Sequence, residues 1–98
     1  MKQENAQEVE ENILDLLKYT GDIPGSEFAL VCCLYYSSEI VYSTLNKLFN
    51  EKKFSKKYVV TNYKLPDGAV LEYYLYRPNY SSAWERVSYL FRKPKIRN

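Results

Sequence analysis

Apolar residues recur at helical spacing from the start of the chain. Val9, Ile13, Leu14 and Leu17 form one stripe within residues 4–19, the pattern of an amphipathic helix. Glu4, Glu8, Glu10 and Glu11 crowd its early turns, where acidic groups suit the positive end of the helix dipole. The breaker cluster Gly21-Asp22-Ile23-Pro24-Gly25 ends this first helix. Ile23 inside that cluster offers a short strand to a later sheet.

Four further elements follow. Ser26 is a candidate N-cap for a second helix over 26–35. Its apolar run FALVCCLYY also suits a buried strand, because periodicity cannot decide for so short a run. The cap and the following Ser37-Ser38 favour helix. A third helix is predicted over 38–53, with Val41, Leu45 and Leu48 at i, i+4 and i+7 and with Ile40 and Phe49 widening the stripe. Residues 57–64 and 70–77 are rich in Tyr, Val and Leu, and Pro66-Asp67-Gly68 between them is turn chemistry, so 57–77 reads as a β-hairpin. A last helix is predicted over 81–92, capped by Ser82, with Ala83, Trp84, Val87, Leu90 and Phe91 on one face. Arg92, Lys93, Lys95 and Arg97 form a basic tail. There is no repeat, low-complexity tract or linker. The expectation is one α+β domain over 1–98.

Charge sharpens this picture. Residues 1–30 hold two basic and seven acidic residues, whereas residues 31–98 hold twelve basic and five acidic ones. The basic part coincides with the third helix and hairpin and suits a polyanionic partner. A lysine cluster such as Lys52, Lys53, Lys56 and Lys57 is also what a solvated loop looks like. No apolar run reaches membrane-spanning length and the start does not resemble a secretory signal, so the expectation is a soluble, cytoplasmic protein.

The chain contains no histidine, which removes the usual general base and the commonest metal ligand. Without a phosphate-binding glycine loop or a nucleophile–base pair, neither catalysis nor a cofactor is expected. Cys32 and Cys33 are the only cysteines. Neighbours on a helix point about 100° apart, so any structural disulfide joins two chains. An ordinary cytosol favours two free thiols instead.

The third helix carries the candidate binding chemistry. A helix enters the major groove when its outward side chains are small or polar. Ser37 and Ser38 suit phosphate contact at the helix start. Asn46 can pair with adenine in bidentate fashion, Ser43 can bond to either base type, and Tyr42 can pack on backbone or a thymine methyl. Lys47, Lys56 and Lys57 would neutralise phosphates, and Lys64 would act from the hairpin. Each residue alone is more often inert surface; the combination with a hairpin points to DNA. Trp84, Val87, Leu90 and Phe91 suit either packing on the first helix or a dimer contact.

Leu30, Leu34, Ser37, Val41, Leu45 and Leu48 follow a helix-turn-helix register. With PDG joining two strands, the chain resembles winged helix-turn-helix transcription regulators over roughly residues 8–78. Its small size, tyrosine content and paired cysteines look like the short dimeric winged-helix proteins encoded by viruses of hyperthermophilic crenarchaea. That resemblance implies a three-helix core, a hairpin wing and an additional C-terminal helix. It also implies a DNA-binding homodimer acting as a transcriptional regulator inside the host cell. Cys32 and Cys33 then fall at places polar and exposed in the family, which implies an intermolecular disulfide. The rival expectation is an interaction or viral assembly module without nucleic acid, supported by a tyrosine-rich hairpin and an arginine-poor third helix.

Overall fold

A computed structural model describes residues 5–91 of the chain. Glu4 and the basic tail formed by Arg92, Lys93, Lys95 and Arg97 lie outside the described residues. The order is α1 (Ala6–Thr20), β1 (Ile23–Pro24), α2 (Gly25–Cys32), α3 (Ser38–Asn50), β2 (Phe54–Lys64), β3 (Val70–Pro78) and α4 (Ala83–Ser88). The three strands form one antiparallel sheet in the order β1-β3-β2. The fold is α+β.

The Asn5 side chain caps α1 by accepting from the Gln7 N–H at 2.8 Å and the Glu8 N–H at 3.4 Å. Val9, Ile13, Leu16 and Leu17 bury one face, while Leu14 only borders the core. Ile23 pairs with Tyr76 and Pro24 with Leu75, so the breaker cluster does add a strand to the hairpin.

The ambiguous run after it is helical, but its boundaries and its rotation differ from expectation. It begins at Gly25 behind Pro24, not at a Ser26 cap, because Pro24 is still paired in the sheet. It ends at Cys32. Residues 33–36 wrap into a turn closed by the N–H groups of Tyr35 and Tyr36 on the Cys32 carbonyl, both at 3.0 Å. Phe28, Ala29 and Cys32 face the core, whereas Leu30 and Leu34 are 69% and 74% exposed. A helix-turn-helix register would give Leu30 and Leu34 core positions, and they do not take them: the i, i+1, i+4 set of Phe28, Ala29 and Cys32 buries the bulkier aromatic ring. Gly25 is buried, and a methyl group on it would collide with the edge of the Tyr76 ring. Glycine lets α2 and β3 approach this closely.

Ser37 caps α3, accepting from the Ile40 N–H at 3.3 Å. Val41, Thr44, Leu45 and Leu48 point inward. The helix stops at Asn50, short of the predicted Lys53, because the chain must reverse to enter β2. The Lys53 N–H returns to the Leu48 carbonyl at 2.9 Å and the Lys52 N–H to the Phe49 carbonyl at 3.0 Å, a Schellman end. Lys52 takes the left-handed position at φ 60°, which glycine usually fills in such helix ends. The Asn79 amide donates to the Lys52 carbonyl at 2.7 Å and holds the reversal from outside.

The core joins Val9, Ile13, Leu16 and Leu17 of α1 to Phe28, Ala29 and Cys32 of α2, then to Val41, Leu45, Leu48 and Phe54. β2 starts earlier than predicted, at Phe54, because that ring belongs to the core. Beyond it β2 has no buried residue, so the hairpin leaves the body of the molecule. At the tip the Gly68 N–H closes a turn on the Leu65 carbonyl at 2.9 Å, and Asp67 accepts from the Ala69 N–H at 2.9 Å. Gly68 itself sits at φ 89°.

The last helix is shorter than the predicted 81–92. Ser82 caps it by accepting from the Glu85 N–H at 3.1 Å. It docks on α1 through polar contacts. Tyr89 donates to the buried Asp15 carboxylate at 2.8 Å, and Lys18 meets Glu85 at 3.2 Å. Trp84 does not pack on α1; it is 83% exposed. No described helix is long and apolar enough to cross a membrane.

Two predictions follow from these helix ends. Lys52→Gly removes the left-handed strain of a side chain and should stabilise the protein by roughly 1 kcal/mol, measured by urea denaturation. The N–H of Ser81 and then the Lys18 ammonium outweigh the cost of burial and hold the Glu85 carboxyl below the usual range. Its contribution is therefore present at neutral pH and lost as pH falls through and below the ordinary glutamate range. Glu85→Gln should flatten that acid-side loss in a series of denaturation curves between neutral and acid pH.

Candidate nucleic-acid interface

Burial of Val41, Thr44, Leu45 and Leu48 leaves Ser38, Tyr42, Ser43, Asn46 and Lys47 exposed. Tyr42 and Asn46 are one turn apart and share a face. Ser43 donates to the Ile40 carbonyl at 3.1 Å, so its hydroxyl starts committed to the helix. Ser37 is likewise occupied as the N-cap.

Pleating decides which hairpin residues adjoin α3. Lys56 pairs with Tyr76 and Tyr58 with Tyr74, while Lys57 pairs with Leu75; paired residues share a face and neighbours alternate. Phe54 and Tyr76 pack as tilted rings with centroids 4.8 Å apart, Phe54 in the core. The Lys56 ammonium lies 4.3 Å from the centroid of the Phe49 ring of α3, a cation–π contact. Burial first, and the neighbouring Tyr42 phenol second, raise the Tyr76 hydroxyl above the ordinary tyrosine range. Thus α3 and one hairpin face form a continuous surface through Tyr42, Tyr76, Phe49 and Lys56.

Of the residues predicted from sequence, Tyr42 and Lys56 border this surface, Asn46 lies one turn from Tyr42 on the same helix face, and Ser43 is exposed beside Tyr42. Lys57 does not border the surface: it projects from the opposite side of the sheet, and its grouping with Lys56 is corrected by the two-residue period. Lys64 pairs with Val70 beyond an irregularity that follows Val60, well out along the hairpin. Lys47 is turned to α1, bonded to Glu10 at 2.7 Å with Glu51 at 4.0 Å. The Glu10 bond, then the nearby carboxylates, raise its pKa against the opposing cost of burial, so it stays charged but is already partnered.

Sequence reasoning missed the Tyr58–Tyr74 pair, whose centroids are 5.2 Å apart. Both rings are about half exposed on the α3-facing side. Counting alternate residues outward from the PDG turn puts both on one face, but the irregularity between Val60 and Lys64 shifts the register by two and decides that they pair. Glu72, opposite Val60 on this same face, raises the Tyr58 phenol and puts a negative charge among the lysines.

The cysteines separate. Cys32 is fully buried, and burial, with a smaller effect of the Cys33 thiol, pushes its pKa up to about 12. It cannot reach a second chain while the core is closed, and the family-based expectation that it is exposed fails here. Cys33 is half-buried at the end of α2. Trp84, Leu90 and Phe91 are 83%, 76% and 84% exposed and Val87 is 43% exposed. Of the two roles considered for these residues, packing on the first helix is not the one seen. Among the described residues, no group of three or more His, Cys, Asp or Glu side chains could hold a metal ion.

Comparison with family models, curated proteins and solved structures finds no match to the chain.

Thiolates, not thiols, react with alkylating agents. Brief iodoacetamide treatment of the native protein should therefore modify Cys33 and spare Cys32. Peptide mass spectrometry checks this, with equal labelling after denaturation as the reference.

Proposed function

We propose that the chain is a winged helix-turn-helix protein that binds double-stranded DNA selectively as a homodimer and regulates transcription. The observation that carries this reading is the exposed row of Tyr42, Ser43 and Asn46 on α3 beside Lys56 of the hairpin. The sheet order β1-β3-β2 supports it, because a short strand between the first two helices pins the hairpin next to the third. In this reading α3 enters the major groove. Asn46 reads a base edge, Tyr42 packs on backbone or a thymine methyl, and Ser38 approaches a phosphate. Lys56 supplies charge from the wing, with Lys64 further out.

A twofold dimer would place two such helices about one DNA turn apart. The exposed Trp84, Leu90 and Phe91 supply the large apolar groups that protein contacts favour. A covalent link between chains would run through Cys33 alone.

A second reading has its own support. Val60, Tyr63, Val70, Leu71 and Tyr74 are all exposed along the hairpin, and Glu72 lies among them. Such a surface suits a protein partner in an assembly.

Fluorescence anisotropy on duplexes selected from random DNA tests the first reading. Asn46→Ala should cost about 1–3 kcal/mol and relax preference at one base pair. Lys56→Ala should weaken all sequences alike and reduce the salt slope by about 1. Lys57→Ala, on the other sheet face, should do so less. Duplex affinity that is absent, or that does not vary with salt, leaves the assembly reading.

A further inference from the structure

A half-open cleft of about 570 Å³ lies away from the α3 surface. The end of α1, the Gly21-Asp22 loop, the Ser55–Arg77 face of the sheet and α4 enclose it. Its volume falls within the range usual for small-molecule sites.

Two features define its chemistry. Lys18, Arg77 and Arg86 bring three positive charges to the lining, against Asp22 within it and Glu85 bonded to Lys18 beside it, a net of one positive charge. A concave surface with such an excess concentrates anions. Lys18 is already engaged by Glu85 at 3.2 Å, and Arg77 is held by Asp22 at 3.2 Å with both side chains about half exposed. Arg86 has no carboxylate within ion-pair distance among the described residues, and its guanidinium lies 6.0 Å from the Tyr80 ring centroid.

The second feature is a wall of fixed rings. Tyr80 and Tyr89 pack with centroids 6.1 Å apart. Both hydroxyls are spent internally: Tyr80 donates to the Lys18 carbonyl at 2.6 Å and Tyr89 to Asp15 at 2.8 Å. Their orientations are therefore set by the fold, and the Tyr80 ring borders the cleft beside two guanidinium groups, with the buried Tyr89 behind it.

We propose that this cleft binds a small planar anion: an aromatic ring or base that packs on Tyr80 and carries a carboxylate or phosphate for Arg86 and Arg77. Arginine suits this role because its planar fork both stacks on rings and bonds an oxyanion at two points. The ligand would bridge the end of α1 to α4. It would stabilise the folded chain by mass action, independently of any nucleic acid.

Isothermal titration and thermal melting of the intact protein, without DNA, test this with four probes. Adenosine monophosphate and salicylate carry both ring and anion; inorganic phosphate carries only the anion and benzyl alcohol only the ring. At least one of the first two should bind about tenfold more tightly than either half-probe and raise the melting temperature. The tighter of the pair tells a nucleotide source from an aromatic acid. Arg86→Gln should weaken that probe about tenfold or more, and Arg86→Lys should recover only part of the loss, because a point charge lacks the fork. Arg77→Gln should weaken it in a separate background. Circular dichroism melting without ligand establishes that each variant is folded. Three results would overturn the proposal: phosphate alone binding as well as the planar anions, no heat from either planar anion at about 10 mM (a free energy near −2.7 kcal/mol), or unchanged affinity in a folded Arg77→Gln, Arg86→Gln double variant.

Discussion

Phe54 is the residue on which the two halves of this molecule meet. It begins β2, is fully buried, and contacts Phe49 of α3 at 5.7 Å and Tyr76 of β3 at 4.8 Å. Tyr76 in turn closes against the bare Cα of Gly25 and pairs with Ile23. Burying one such ring contributes about 1.5–3 kcal/mol, yet its greater effect is geometric. An aromatic column running from α3 through the hairpin to α2 gives the protruding strands one direction relative to α3. Everything proposed for the α3 surface depends on that direction.

The sheet then separates two kinds of surface. On the side that meets α3 lie Lys56, Tyr58, Tyr74 and Glu72, of which Lys56 touches α3 through Phe49. On the other side lie Ser55, Lys57 and Arg77, and Ser55 and Arg77 border the cleft against α4. Two residues adjacent in sequence, Lys56 and Lys57, thus serve different faces. Charge counted along the chain cannot register this division, whereas the pleat imposes it.

The docking of α4 follows a different rule from the core. The short helix buries none of its own residues and is held by a phenol on Asp15, an ion pair from Lys18 and the Tyr80 hydroxyl on the Lys18 carbonyl. Such contacts are directional, so they set where α4 sits while leaving its apolar groups turned outward. Trp84, Leu90 and Phe91 are consequently available to a partner. At the end of α2 the opposite happens, and packing withdraws Cys32 from solvent while Cys33 stays at the margin.

Much of this was legible in the amino-acid order. The α1 and α3 stripes, the Ser37 and Ser82 caps, the breaker cluster with its strand residue and the PDG turn are short-range features. Each is specified by residues within a turn or two of one another, where spacing and local hydrogen bonding decide the backbone. The exposed Tyr42, Ser43 and Asn46 followed from the same periodicity. Long-range packing decided the rest. Which face of α2 is inward depended on fitting Phe28 into a space built by α1 and α3, and Leu30 and Leu34 lost that competition. The end of α3 depended on the reversal clamped by Asn79, twenty-seven residues downstream of Lys52. The pairing of Lys47 with Glu10 crosses from one helix to another. Local order carried the elements because their energetics are local; only the assembled core could choose among faces that a linear pattern leaves equivalent.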